Sequence, residues 1–334
     1  MKMMLSLGWL FIAIVHKAEP LISANFKACK KFFYKGQLPF GFQGIALPHG
    51  FNTSDLPNGV KAEELTSPAY ICQQYGNKVH FTSLYDRGRR LPLYSAYILD
   101  RRSSSKPINN RQKFFNIEPQ LVYRQLDGTM LPERNTYDKI KRYNANHNIS
   151  PREQKNHPLN LIRTSQAVDD DYKNSRYDRG HVNPKGHHVT ADEQNATFTF
   201  TNVVPMSRKL NNVVWNQYER AMLGYADGCK TMYVVTGIIP SKKQWLKDEH
   251  RVNIPSHVWN AYCCVGSKDK PIKSGAGLRK NDDSDKPVEK LQINELQKRL
   301  KNLFVKGNIA IFQNNCSKKF KSSRKAAAKY KANY

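Results

Sequence analysis

Apolar and polar positions along this chain form short β-like runs separated by turn residues, and two later stretches change to a helical period. Lys78–Tyr85 (KVHFTSLY), Leu91–Leu99 (LPLYSAYIL), Ala196–Val204 (ATFTFTNVV) and Thr231–Ile239 (TMYVVTGII) are rich in β-branched and aromatic residues. Their lengths suit strands. In Ser207–Tyr225, Leu210, Val214, Tyr218, Ala221 and Met222 recur at helical spacing, with Gly224 and Gly228 as stop signals. A second helix is expected where Ile293, Leu296, Leu300 and Leu303 make an apolar stripe ahead of Gly307. The polar stretch Gly266–Pro287 before it reads as a linker. Strands and helices mix without regular β-α-β alternation. That predicts an α+β fold with a mainly antiparallel central sheet flanked by helices.

The first residues break this pattern. A basic start and an apolar run from Leu5 to Val15 suit a signal peptide over residues 1–24, although no clean small-x-small site fixes its cleavage. A buried N-terminal strand or helix is the plainer alternative. No later run is apolar and long enough for a transmembrane helix, so a soluble, secreted protein is expected. Cysteine usage agrees with an oxidising compartment. Cys29, Cys72, Cys229, Cys263, Cys264 and Cys316 allow three bridges of open connectivity, with adjacent Cys263 and Cys264 expected to take different partners. Sequons at Asn52, Asn148 and Asn195 would be acceptors on that route.

Charge adds a partner class. Over 334 residues, 54 Lys+Arg face 27 Asp+Glu, a net +27 at pH 7, with a pI near 9.8 and mean hydropathy of -0.68. Such a surface attracts polyanions through its long-range field and counterion release. Nucleic acid leads, with heparin-like glycans and anionic membranes left open. Residues 317–334 form a basic tail without acids, read as disordered in the free protein.

Chemistry enters at a near-repeat. Tyr85–Pro92 reads YDRGRRLP and Tyr177–Pro184 reads YDRGHVNP, with His181 where the first copy has Arg89. Phosphodiester hydrolysis needs a base for water, charge on the phosphate and stabilisation of the leaving oxyanion. His181 takes a proton near neutral pH, and Arg179 offers phosphate a permanently charged fork. Asp178 is placed to orient a neighbour. Downstream, Asn211 and Glu219 lie eight residues apart on the expected helix. Eight helical steps return to within about 80° of the start, so both side chains project toward one side. An amide oxygen with a carboxylate is hard-ligand chemistry suited to Mg²⁺. Alone, each residue has a bland reading: a turn histidine, a helix asparagine, a solvated glutamate. Asn202 equally suits a strand-end turn, His187 and His188 read as surface or core histidines, and Asp86-Arg87-Gly88 reads as a hairpin turn.

DRGH at Asp178–His181, TNVVP at Thr201–Pro205 and LNNVVWNQYE at Leu210–Glu219 together resemble the DNA/RNA non-specific endonucleases with a ββα-metal (His-Me) finger. Flanking segments such as ACKKFFYKGQLP and NIEPQL resemble the endonuclease domain-containing 1 branch. The resemblance implies a nuclease domain over 25–316 and a metal-dependent endonuclease cutting DNA, and RNA as a further substrate, with little sequence preference. It implies His181 as general base, Asn211 as direct ligand to one Mg²⁺ (Mn²⁺ being the alternative), and Glu219 holding metal-bound water. Arg179 would bind phosphate, Asn202 would hold the loop, and Asp178 would be structural. Met206 departs from the family's usual glutamine and puts one polar contact in doubt. The rival reading is a catalytically weak or inactive nuclease-fold protein that binds polyanions or a protein partner.

Overall fold

The structure, a computed structural model, describes residues 21–23, 25–48, 66–102, 112, 114–150, 152–248, 250–304, 307–312 and 316. The apolar run Leu5–Val15, the Asn52 sequon and the basic tail lie outside the described residues. The strands are β1 (Ile22–Ser23), β2 (Ala69–Tyr75), β3 (Lys78–Asp86), β4 (Leu91–Leu99), β5 (Asn116–Ile117) and β6 (Leu131–Pro132). They continue with β7 (Tyr177–His181), β8 (Val203–Ser207), β9 (Thr231–Ile239), β10 (His257–Val265), β11 (Pro271–Lys280) and β12 (Glu289–Leu291). The α-helices are α1 (Glu133–Asn146), α2 (Pro158–Ser165), α3 (Asp169–Tyr172), α4 (Ala191–Ala196), α5 (Asn216–Tyr225) and α6 (Ile293–Phe304).

An 8-stranded sheet runs β1-β2-β3-β4-β9-β10-β11-β12, and every neighbouring pair is antiparallel. The α+β expectation therefore holds. Strand β4 is buried at nearly every position, because both faces of the sheet are covered. On one side Phe42 stacks on Trp259, and Phe26 packs against Tyr94. A second apolar cluster, including Ile140, Ile162, Phe200 and Val203, sits among α1, α2 and the β7–β8 hairpin. Bridges Cys29–Cys72, Cys229–Cys264 and Cys263–Cys316 tie the layers. Neighbours on β10, Cys263 and Cys264 face opposite sides of the sheet and do take different partners. Ile22–Ser23, inside the stretch expected to be a signal peptide, form the edge strand against β2.

Three expectations fail locally. Ala196–Val204 is not one strand: Ala196 ends α4, Phe200–Asn202 form a 3-10 turn, and pairing starts at Val203. The Thr199, Thr201 and Asn202 side chains make tertiary hydrogen bonds that hold the turn, which period and propensity do not register. Gly266–Pro287 is not a linker, since Pro271–Lys280 forms β11. Its glycines serve packing: a Cβ at Gly275 would come within 2.6 Å of the Tyr262 hydroxyl, and one at Gly277 within 2.6 Å of the Tyr218 ring. Finally, the expected helix from Ser207 starts one residue later and opens with a π-turn over Leu210–Trp215, and Ala221 is exposed. Asp86-Arg87-Gly88 does turn the β3–β4 hairpin, with Asp86 buried and ion-paired to Arg89 at 2.8 Å.

Candidate active site

The hairpin pairs Tyr177 with Ser207, Asp178 with Met206, Arg179 with Pro205, Gly180 with Val204 and His181 with Val203. Alternation along a strand sends Tyr177, Arg179 and His181 to one face, and Asp178 and Gly180 to the other. On the first face Phe115 serves both functional side chains. Its ring lies 5.4 Å from the Arg179 guanidinium carbon and 5.8 Å from the His181 ring. Phe198 meets His181 edge-on at 4.9 Å, and the His181 Nε2 is screened from solvent. Tyr172 covers Arg179 at 5.6 Å. The guanidinium is thus held by two rings through cation–π attraction and paired with the exposed Asp169 carboxylate. A fork held by two rings in this way is preorganised for a phosphate.

On the other face, Asp178 reaches the helix that follows β8. Its Oδ2 accepts hydrogen bonds from Asn211 Nδ2 at 3.2 Å and Asn212 Nδ2 at 2.7 Å. The donor end of the Asn211 amide is thereby occupied, and its Oδ1 carries no hydrogen bond among the described residues. Met206, fully buried, lies over Gly180, where a Cβ would come within 2.5 Å of it. At this position the chain gains an apolar contact in place of the polar one in doubt.

The π-turn alters the placement of Asn211 against Glu219. Bonds from i to i+5 put more residues in each turn, so each residue advances by a smaller angle than in an α-helix. The eight-residue separation then closes toward two whole turns, nearer one azimuth than the 80° read from sequence. Burial pushes the Glu219 carboxyl up to about 8, against a smaller opposing pull from the Trp215 indole. That indole N–H is buried and meets no acceptor at full hydrogen-bond geometry. The Glu219 backbone is pinned: its carbonyl is 2.9 Å from His187 Nε2, whose Nδ1 is 2.9 Å from the Tyr97 hydroxyl of β4. Burial lowers His187 to about 4 and His188 to about 3, so both are neutral core residues.

Asn202 braces the strand end that carries His181. Its Oδ1 accepts from the Asn183 backbone N–H at 2.9 Å and Ser95 Oγ at 3.0 Å, while its Nδ2 donates to the carbonyls of Asn183 and Thr197. Its own carbonyl accepts from the Val182 N–H. A buried chain runs onward from Ser95 through Ser83, Gln73 and Thr201 to Glu118. Burial pushes the Glu118 carboxyl up to about 8.

The six residues singled out in sequence therefore fall on one hairpin, the turn that enters its second strand, and the helix it leads into. Contacts join Arg179 with His181 through Phe115, and Asp178 with Asn211. Sequence reasoning missed Phe115, Tyr172 and Asp169 around Arg179, and His187 behind Glu219. Their one signal was the aromatic and acidic density of Asp169–Tyr172 and Phe114–Phe115. Among the described residues, no cluster of three or more His, Cys, Asp or Glu side chains could hold a metal ion. A single amide oxygen with its amine end fixed by a carboxylate fits Mg²⁺, which binds few protein ligands and keeps several waters.

A family model for DNA/RNA non-specific endonucleases matches residues 58–315. Endonuclease domain-containing 1 protein of Mus musculus is 27% identical over 319 residues, covering 92% of this chain and 52% of its own length. The Homo sapiens protein of that name is 27% identical over 300 residues, covering 88% of this chain and 48% of its own. The chain thus spans about half the length of these curated relatives. A solved structure of the EndoG/EndoGI complex overlaps with a TM-score of 0.46 and 17% identity, covering 67% of this chain and 82% of that one.

Proposed function

This chain belongs to the DNA/RNA non-specific endonuclease family, and from that membership we propose that it is a secreted, Mg²⁺-dependent endonuclease. It would hydrolyse DNA, and RNA as a further substrate, with little sequence preference. The observation that carries the reading is the hairpin face on which a histidine and a caged arginine share Phe115, with an amide oxygen on the following helix left available. His181 accepts the proton of the attacking water. Arg179 exchanges the Asp169 carboxylate for a phosphate oxygen, a swap between exposed anions that costs little. Asn211 would hold the ion through Oδ1, and Glu219 would support it through its hydration. When bound, the ion supplies charge to the scissile phosphate and the departing O3′. A cation nearby also pulls the Glu219 carboxyl back toward its ionised form. Contacts of this kind read the backbone and leave base sequence unread. Six paired cysteines support the secretory assignment.

The test is plasmid digestion with His181→Ala. Wild-type protein should nick DNA with Mg²⁺ and stop in EDTA, and the variant should keep the wild-type unfolding curve without cutting. Digestion by the variant at the wild-type rate would overturn the assignment. A wild-type protein that binds DNA but never cuts it would favour the binding-module reading.

A further inference from the structure

A cleft of about 700 Å³ opens at the other end of the β7–β8 hairpin from His181. Its walls come from the start of β7, the turn after β9, the end of β11 and one residue of α6. Arg176, Lys242, Lys243 and Lys280 line it, against two carboxylates, Asp282 and Asp283. Those acids are already engaged. Asp282 accepts from Arg279 and Ser284, and Asp283 accepts the Lys209 backbone N–H. Arg176, Lys242 and Lys243 have no ion pair among the described residues. The cleft also has an apolar wall, made by Ile239, Pro240 and the 44% exposed Leu303. That explains an oddity of α6, whose apolar stripe is buried at Ile293, Leu296 and Leu300 but not at Leu303.

Two further facts point to a ligand. Ser207 lines the cleft and is 4% exposed, yet its buried Oγ has no hydrogen-bond partner among the described residues. A buried hydroxyl without a partner is destabilising, and an incoming acceptor would relieve that cost. Second, Ser207 pairs directly with Tyr177, so both sit on the hairpin face that carries Arg179 and His181. Tyr177 and His181 lie four residue steps apart along β7, about 13 Å. At the 3.4 Å axial rise per nucleotide of a B-form duplex this is about four steps, and fewer along an extended single strand.

We propose that this cleft is a second nucleic-acid contact, which takes one nucleotide of the strand whose scissile phosphate lies at His181. The base rests on the apolar wall with Tyr177, the phosphates meet Arg176, Lys242 and Lys243, and the Ser207 hydroxyl donates to the nucleotide. The inference rests on the nuclease reading for the direction of the strand, but its test needs no turnover.

Binding of a labelled single-stranded oligonucleotide is measured in EDTA by fluorescence anisotropy over a salt series. Lys242→Ala/Lys243→Ala should weaken binding and reduce the slope of log affinity against log salt by about 1.4, since each phosphate contact contributes about 0.7. Ser207→Ala should be at least as stable as wild type to unfolding, because the lost hydroxyl had no partner, and should still weaken binding. Unchanged strand affinity in both variants overturns the proposal, whether or not the protein cuts plasmid. Weakened binding of AMP with unchanged strand affinity also overturns it, since the cleft would then serve a free nucleotide. A protein that never cuts, but whose strand affinity falls in both variants, keeps this inference and loses the nuclease reading.

Discussion

Replacing Asp178 with asparagine isolates what that carboxylate does for Asn211. In the native site Oδ2 accepts from Asn211 at 3.2 Å and from Asn212 at 2.7 Å. A hydrogen bond to a charged acceptor contributes about 1.5–3 kcal/mol. That preference holds the Asn211 amide with nitrogen inward and oxygen outward. An asparagine at 178 presents a donor as readily as an acceptor, so both amide orientations of Asn211 become accessible. Only one offers oxygen to a cation. Loss of such a supporting contact costs about 10–100-fold in metal affinity, or about 1.4–2.8 kcal/mol. Asp178→Asn should therefore raise the Mg²⁺ concentration for half-maximal plasmid cleavage by that factor, with the rate at saturating Mg²⁺ close to wild type. Mn²⁺ binding followed by electron paramagnetic resonance should show the same shift without turnover. The Asp178 side chain is 30% exposed, so the protein tolerates the change. A Mg²⁺ titration and a Mn²⁺ isotherm that both superimpose on wild type would refute the argument.

Asn202→Ala strips partners from four buried groups: Ser95 Oγ, the Asn183 N–H and carbonyl, and the Thr197 carbonyl. Ser95 keeps its bond to Ser83, and the other three groups at about 1–3 kcal/mol each left unsatisfied should lower stability in urea unfolding by about 3 kcal/mol or more; a wild-type midpoint would contradict the brace. Glu118→Gln tests pH dependence. Burial raises this carboxyl from 4.5 to about 8, so between those values the folded protein keeps a proton that the unfolded chain releases, and stability falls as pH rises. Glutamine mimics the protonated acid toward Thr199 and Thr201, so its stability relative to wild type should improve from pH 5 to pH 8; a constant difference across that range would rule this out.

The sheet was legible where side chains alone decide it. Leu91–Leu99 and Thr231–Ile239 coincide with β4 and β9 because β-branched and aromatic residues pack on both covered faces. Composition misled where a side chain served a distant partner. Gly275 and Gly277 looked like linker residues because the tyrosine rings that need their space come from elsewhere in the chain. Thr199 and Thr201 looked like strand residues because Glu118, some 80 positions away, is what bends them. In the site, residue types and spacing made a nuclease triad thinkable, and the family resemblance assigned the tasks. Neither showed the cage around Arg179, since Phe115, Asp169 and Tyr172 reach it only through the fold. The π-turn was invisible for another reason: a period of 3.6 was assumed where the chain uses a longer one.

That widened coil, Leu210–Trp215, lets a single helix satisfy two audiences. Leu210, Val214, Tyr218 and Met222 stay rooted in the interior, while Asn211 meets Asp178 of the hairpin and Glu219 stays close to its azimuth. The arrangement is stored in how many residues lie between these landmarks and in no one of their identities. Swapping side chains one at a time leaves that spacing intact. Shortening the segment by one residue sets the two alignments against each other.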